Sequence, residues 1–269
     1  MTRWVAFAGV TLAVLSVVLV LARASQAMVR APPAGDRRRL NRLEDGAGHL
    51  EAVDAPRADP PSPAAVTLES EPSTGALLAN VAVSHGLFAG LLLGGILLAD
   101  VPWAALGVTD AAWSTGRYAV ALGVGLGVAT ALANTLAGGL AEAFGADPSR
   151  ELRELLAPET PRGWLVLLAV VLPLIAGFEE LLFRAALIGG FAAGFGVSPW
   201  LLAVLSSVAF AAGHGAQGGL GVVVTGLLGL VLAVAFVLTG SLLTVVVAHY
   251  VVNVVEFVVA EGVGWPPVE

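Results

Sequence analysis

The sequence predicts an all-α, polytopic transmembrane bundle of about seven or eight helices, and three observations carry that expectation. The chain is 57% hydrophobic and only 12% charged, with a mean hydropathy of +0.88, well outside the range of soluble globular domains. Its apolar residues fall in runs close to the ~20 residues that a helix needs to cross ~30 Å of hydrocarbon. Its 33 glycines include pairs at small-xxx-small spacing, Gly90 with Gly94, Gly123 with Gly127 and Gly190 with Gly194, which let helix backbones approach closely in lipid.

The first run, Trp4 to Ala22, is uncharged and of spanning length. Signal-peptide h-regions are usually shorter, ~7 to 15 residues, so residues 1–22 are expected to be an N-terminal transmembrane anchor. From Arg23 to about Gly75 the composition turns to arginine, acids, proline and alanine without hydrophobic periodicity. Residues 23–75 are therefore expected to be a solvated linker that buries too little apolar surface to fold. Residues 76–269 form the bundle proper, with spans expected at Ala76 to Leu98, Tyr118 to Leu140, Trp164 to about Phe195, Trp200 to Ala212, Leu220 to Thr239 and Ser241 to Ala260. The Trp164 to Phe195 stretch is long for one crossing, and Pro173 and Gly177 offer a break just before a pair of glutamates, so either a kinked helix or two pieces is expected.

All 13 basic residues are arginine and the formal net charge is −7. No basic run suits a nucleic acid, so no nucleic-acid partner is expected. Arginine placement orients the chain instead, because loops rich in Lys and Arg stay cytoplasmic. Arg23, Arg30, Arg37 to Arg39 and Arg42 follow the first span, whereas only Arg3 precedes it. A multi-pass protein of the cell membrane is expected, with its N-terminus outside and the 23–75 loop in the cytoplasm. The loop holding Arg150, Arg153 and Arg162 returns to the cytoplasm two crossings later and agrees with that orientation. With no cysteine in the chain, disulfides, thiolate metal sites and a cysteine nucleophile are excluded.

Against this hydrocarbon background stand Glu179, Glu180 and Arg184, then His214, then His249 and Asn253. An ionisable group at membrane depth costs roughly 2.5 to 3.5 kcal/mol on insertion scales, so such a cluster is a functional-site hypothesis by default. Glu180 and Arg184 are four apart on a helix and can pair, leaving Glu179, about 100° away, free to act as a general base. His249 and Asn253 are also four apart and form a donor pair of the kind that stabilises an oxyanion. His214, on another span, can orient a water beside Glu179. Taken singly, each has a structural explanation: an internal staple for the Glu180–Arg184 pair, helix-to-helix hydrogen bonding for a histidine. Their convergence from three spans favours chemistry. His85 and His49 lack comparable partners in the sequence and are taken as structural, while Glu256, seven residues after His249 and on nearly the same face, either joins the site or, as the preferred reading, marks the membrane border.

Glu179-Glu180-x-x-x-Arg184, Phe210-x-x-x-His214 and His249-x-x-x-Asn253, in that order, resemble the motifs of the CPBP intramembrane proteases, a family comprising CAAX prenyl proteases and bacteriocin-processing (Abi) enzymes. The resemblance covers roughly Trp164 to Ala260, and it implies a catalytic core at about 164–260. It implies an intramembrane endopeptidase in which Glu179 activates water with help from His214. His249 and Asn253 would stabilise the oxyanion, and Glu180 and Arg184 would support the site. The implied partners are membrane lipid and a peptide or lipidated protein substrate, possible prenylation of which the motifs leave open. No cofactor is favoured, because a His-Glu-x-x-His helix is missing. Two histidines and a carboxylate are nevertheless a zinc-ligand set, and a zinc-dependent protease stands as an alternative. A non-catalytic membrane peptide-binding or immunity protein and a proton-coupled transporter are two more. The acidic, proline-rich segment behind the first span lies outside the motifs altogether.

Overall fold

The computed structural model describes residues 1–29, 73–143 and 150–262. Most of the 23–75 linker, including His49, lies outside the described residues. Among the described residues the chain is helical and contains no strand. The helices are α1 (Trp4–Val29), α2 (Thr74–Leu98), α3 (Arg117–Ala143), α4 (Arg150–Leu156), α5 (Pro161–Phe195), α6 (Pro199–Gly213), α7 (Gly218–Thr239) and α8 (Leu242–Phe257). Five of them, α1, α2, α3, α5 and α7, are long and apolar enough to cross a membrane. The chain is a multi-pass membrane helix bundle, as its composition predicts.

α1 runs on past Ala22 to Val29, and it is built into the bundle. Its Phe7, Thr11 and Val14 are buried at i, i+4 and i+7 while Val5, Leu12, Val17, Val20 and Leu21 are exposed, the one-sided pattern of a helix with a packed face and a lipid face. Phe7 sits edge-on to Phe191 of α5 with ring centroids 6.3 Å apart. A Cβ on Gly190 would lie 2.5 Å from the Phe7 ring, and one on Gly194 2.5 Å from the Trp4 ring. This glycine pair on α5 is thus the seat of α1. At the same end, the Arg3 N–H donates to the Ala99 carbonyl at 2.8 Å, tying the start of α1 to the end of α2 and setting the two antiparallel.

The second glycine pair performs the same service between α3 and α8. A Cβ at Gly123 would lie 2.6 Å from the Thr244 carbonyl oxygen, and one at Gly127 2.7 Å from that of Ala248. Both numbers rise together, so the helices run parallel. Apolar burial adds little between helices already in lipid, and close backbone packing carries such contacts. Gly127→Leu is expected to lower stability by about 1 to 3 kcal/mol through overpacking, read as a fall in the thermal midpoint in detergent. Gly90→Leu is the matched control, because a Cβ at Gly90 or at Gly94 meets nothing within 4 Å; the third pair of the sequence reading makes no such contact here.

α5 carries the acidic pair, and it is one continuous helix rather than two pieces. Thr160 caps its start by accepting the Gly163 N–H at 3.1 Å, with Pro161 in the first turn. Of the two forms expected, a kinked helix or two pieces, the second does not occur. Instead two π-helical segments, Leu167–Val171 and Leu181–Gly190, flank the α-helical Leu172–Glu180. The first has a local cause: Pro173 has no N–H for the carbonyl four residues back and its ring crowds it, and the wider turn gives that carbonyl room. Widening leaves carbonyls for other partners, and neighbouring helices supply them. The Tyr250 hydroxyl of α8 donates to Leu168 O at 3.0 Å, and the Ser206 hydroxyl of α6 to Phe183 O at 2.6 Å.

The turns that bring the remaining motifs back use glycine in left-handed or related conformations. Gly218, at φ +74°, starts α7 after a short 3-10 turn at Gly215–Gln217. Gly240, at φ +60°, ends α7, and Ser241 then caps α8 by accepting the Thr244 N–H at 3.1 Å. His214 closes α6, and His249 and Asn253 lie on consecutive turns of α8.

Candidate active site

The deepest part of the site is a charged pair inside the bundle. Glu180 and Arg184 are both fully buried, and Arg184 Nη1 donates to Glu180 Oε1 at 2.9 Å. The second Arg184 amino group donates to the Gly229 carbonyl on α7 at 2.9 Å, and the guanidinium lies over the Phe210 ring at 4.7 Å. Gly229 is needed here, because a Cβ would fall 2.9 Å from the Phe210 ring. Arginine suits such a place, since its planar fork can hydrogen-bond and stack at once.

Glu180 does a second thing that sequence reasoning did not foresee. Its Oε1 also takes a hydrogen bond from His249 Nδ1 at 2.7 Å. An ionised carboxylate is an acceptor only, so the His249 proton sits on Nδ1. His249 Nε2 is thereby aimed at Glu179, 3.7 Å from its Oε2. It can donate a hydrogen bond only as imidazolium, and as neutral imidazole it accepts one.

Glu179 points away from that pair, as the helical spacing predicts, into a cluster of imidazoles. Its side chain is 12% exposed, and its Oε2 is a buried oxygen without a hydrogen-bond partner among the described residues. His214 Nε2 lies 3.9 Å from Oε1, while its Nδ1 donates to the Phe210 carbonyl at 2.8 Å. Separations of 3.7 to 3.9 Å are too long for direct hydrogen bonds and suit one bridging water. Asn253 follows His249 by one turn on α8 and is half-buried; its side chain makes no hydrogen bond among the described residues.

The structure thus brings Glu179, Glu180, Arg184, His214 and His249 together and sets Asn253 one turn beyond. It also adds a residue that had been taken as structural: His85 of α2 lies with Nε2 3.9 Å from Glu179 Oε1. The signal was present in the sequence, since His85 is the one ionisable residue within Thr74–Leu98, and the energetic argument applied to His214 and His249 applies to it equally. Glu256 turns away from this cluster and pairs with Arg153 of α4 at 3.2 Å. Among the described residues no group of three or more His, Cys, Asp or Glu has the arrangement of a metal site.

Comparison with curated proteins and with solved structures returned no match. A family model does match, described as type II CAAX prenyl endopeptidase Rce1-like, over residues 161–255. That segment holds the Glu-Glu, arginine, histidine and His-x-x-x-Asn positions of the site, and leaves α1 to α4, with His85, outside. Residues 161–255 are thus similar to the Rce1-like type II CAAX prenyl endopeptidases, the family that the three motifs resemble.

Proposed function

We propose that the protein is a metal-free intramembrane endopeptidase that hydrolyses peptide bonds of membrane-associated, CAAX-like prenylated substrates. The observation that carries this reading is the Glu179 carboxylate with His214 Nε2 at 3.9 Å from one oxygen and His249 Nε2 at 3.7 Å from the other. Glu179 takes a proton from a water held between it and His214, and the resulting hydroxide attacks the scissile carbonyl carbon. The oxyanion that forms takes hydrogen bonds from imidazolium Nε2–H of His249 and the Asn253 carboxamide. As the C–N bond breaks, Glu179 returns its proton to the leaving amine. Glu180 and Arg184 do not touch the substrate in this scheme. They hold His249 in orientation, much as a buried acceptor fixes a catalytic imidazole elsewhere.

The proposed setting is the cell membrane, with the N-terminus outside and lipid as the immediate partner of the exposed helix faces. The decisive experiment compares the peptides of membranes carrying the parental protein with those carrying Glu179→Ala. Cleavage products confined to the parental membranes are expected; identical profiles would overturn the reading. Metal independence has its own check. Incubation of purified protein with a strong chelator is expected to leave the cleavage rate within about twofold, and stoichiometric zinc lost together with activity would move the water-activating step to a metal.

A further inference from the structure

We propose that His85, on α2 and outside the protease-family segment, is a third imidazole of the working site and orients the attacking water together with His214. The inference rests on the hydrolase reading above and deepens it.

The argument is one of proton placement. His85 Nδ1 lies 2.9 Å from the Val81 carbonyl oxygen, which can only accept, so that nitrogen carries the proton. The nearby Ser84 hydroxyl lies 3.0 Å from the same carbonyl and 3.4 Å from His85 Nδ1; donating to the carbonyl, it leaves this assignment unchanged. In the neutral ring Nε2 is then a bare acceptor, and it faces a second acceptor, Glu179 Oε1, at 3.9 Å. Two acceptors at that separation call for a donor between them, and water supplies two O–H groups.

His214 repeats this device on another helix. Its Nδ1 is held by the carbonyl four residues back, Phe210 O, at 2.8 Å, and its Nε2 stands 3.9 Å from the same Glu179 oxygen. His85 and His214 side chains are equally accessible, 24% each. Three acceptors then face the two O–H groups of one water, so one O–H points to Glu179 and the other is shared by the two Nε2 atoms, which fixes the water's orientation and leaves a lone pair free for attack. A purely packing role would require only the ring, which sits edge-on to Phe178 with centroids 5.6 Å apart.

The test separates ring from nitrogen in the full-length protein, using a synthetic peptide that spans a cut site found in the membrane comparison above. His85→Phe keeps an aromatic ring against Phe178 and removes Nε2. It is expected to lower kcat by roughly tenfold to a hundredfold, the lower part of the range for positioned proton-transfer groups, with KM within about twofold. The thermal midpoint should stay near the parental one. His85→Gln, which returns a polar atom near the Nε2 position, is expected to recover part of kcat. Parental kcat in His85→Phe would overturn the proposal, as would a loss confined to KM, or a loss that tracks a lowered thermal midpoint and is not recovered by His85→Gln. Glu179→Ala in the same assay tells the two readings apart: if it is inactive while His85→Phe is fully active, only this inference fails. Failure to find any cut site that depends on Glu179 removes both.

Discussion

Glu179→Gln is expected to reduce peptide cleavage by roughly 10²- to 10⁴-fold, the usual contribution of a positioned general base, while leaving the fold intact. Glutamine keeps the volume of the side chain and can still hydrogen-bond the water, so substrate binding should change little. What it cannot do is accept the proton. The loss should therefore fall on kcat, with KM within about twofold, since the interaction removed belongs to the transition state. Stability should be unaffected or slightly raised, because Glu179 Oε2 is buried without a hydrogen-bond partner and a neutral amide is cheaper to bury than a carboxylate. Steady-state cleavage and a thermal melt on the same preparation check both halves. A variant that cuts at the parental rate would mean that Glu179 is not the base.

Arg184→Met acts in the opposite way, on the fold first. It strands Glu180, fully buried, with only the His249 hydrogen bond, and it removes the donor to Gly229 O and the cation over Phe210. Breaking a buried ion pair from one side typically costs about 3 to 5 kcal/mol because an uncompensated charge is left inside. The expected result is a lowered thermal midpoint and poor recovery from membranes. Adding Glu180→Gln to Arg184→Met should restore most of the stability, because the orphan charge is gone. It should not restore cleavage, since His249 then loses the carboxylate that fixes its Nδ1 proton. If the double variant were both stable and active, Glu180 and Arg184 would be a structural staple alone. The double-variant cycle measures the coupling directly.

Much of this architecture was legible because helices in lipid must satisfy their own backbone, which leaves apolar run length as a faithful record of each span. The Glu180–Arg184 pair was legible for a similar reason, as fixed i,i+4 geometry brings the two side chains to one face. His249 bonding to Glu180 was not, because nothing in local spacing says which of two adjacent glutamates a residue on another helix will meet. His85 escaped because it has no charged neighbour along its own helix; its partner lies on α5. The two π segments of α5 escaped as well. Pro173 accounts locally for the first, but the carbonyls that widening frees are taken up by hydroxyls of Ser206 and Tyr250 from distant parts of the chain, which no reading of Leu167–Val171 or Leu181–Gly190 alone could supply. Two of the three glycine pairs mark close helix contacts and one does not, since spacing identifies a smooth face without saying what lies against it.

The π segment Leu181–Gly190 also sets the angular phase of α5. On its near side stand Glu179 and Glu180, turned toward α2, α6 and α8; on its far side stand Phe191 and Gly194, turned toward α1. Each residue of α-helix adds about 100° of rotation and each residue of the wider π turn somewhat less, so deleting a single residue inside this segment would swing one set against the other by roughly a quarter turn. The acidic pair could then face the histidines, or the helix could keep its seat on α1, but not both. Chain length between Glu180 and Phe191 is in this sense a dial as consequential as any side chain in the site. Because α1 is read off that dial along with the glutamates, the first helix of the chain and the chemistry deep in the bundle share one rotational setting.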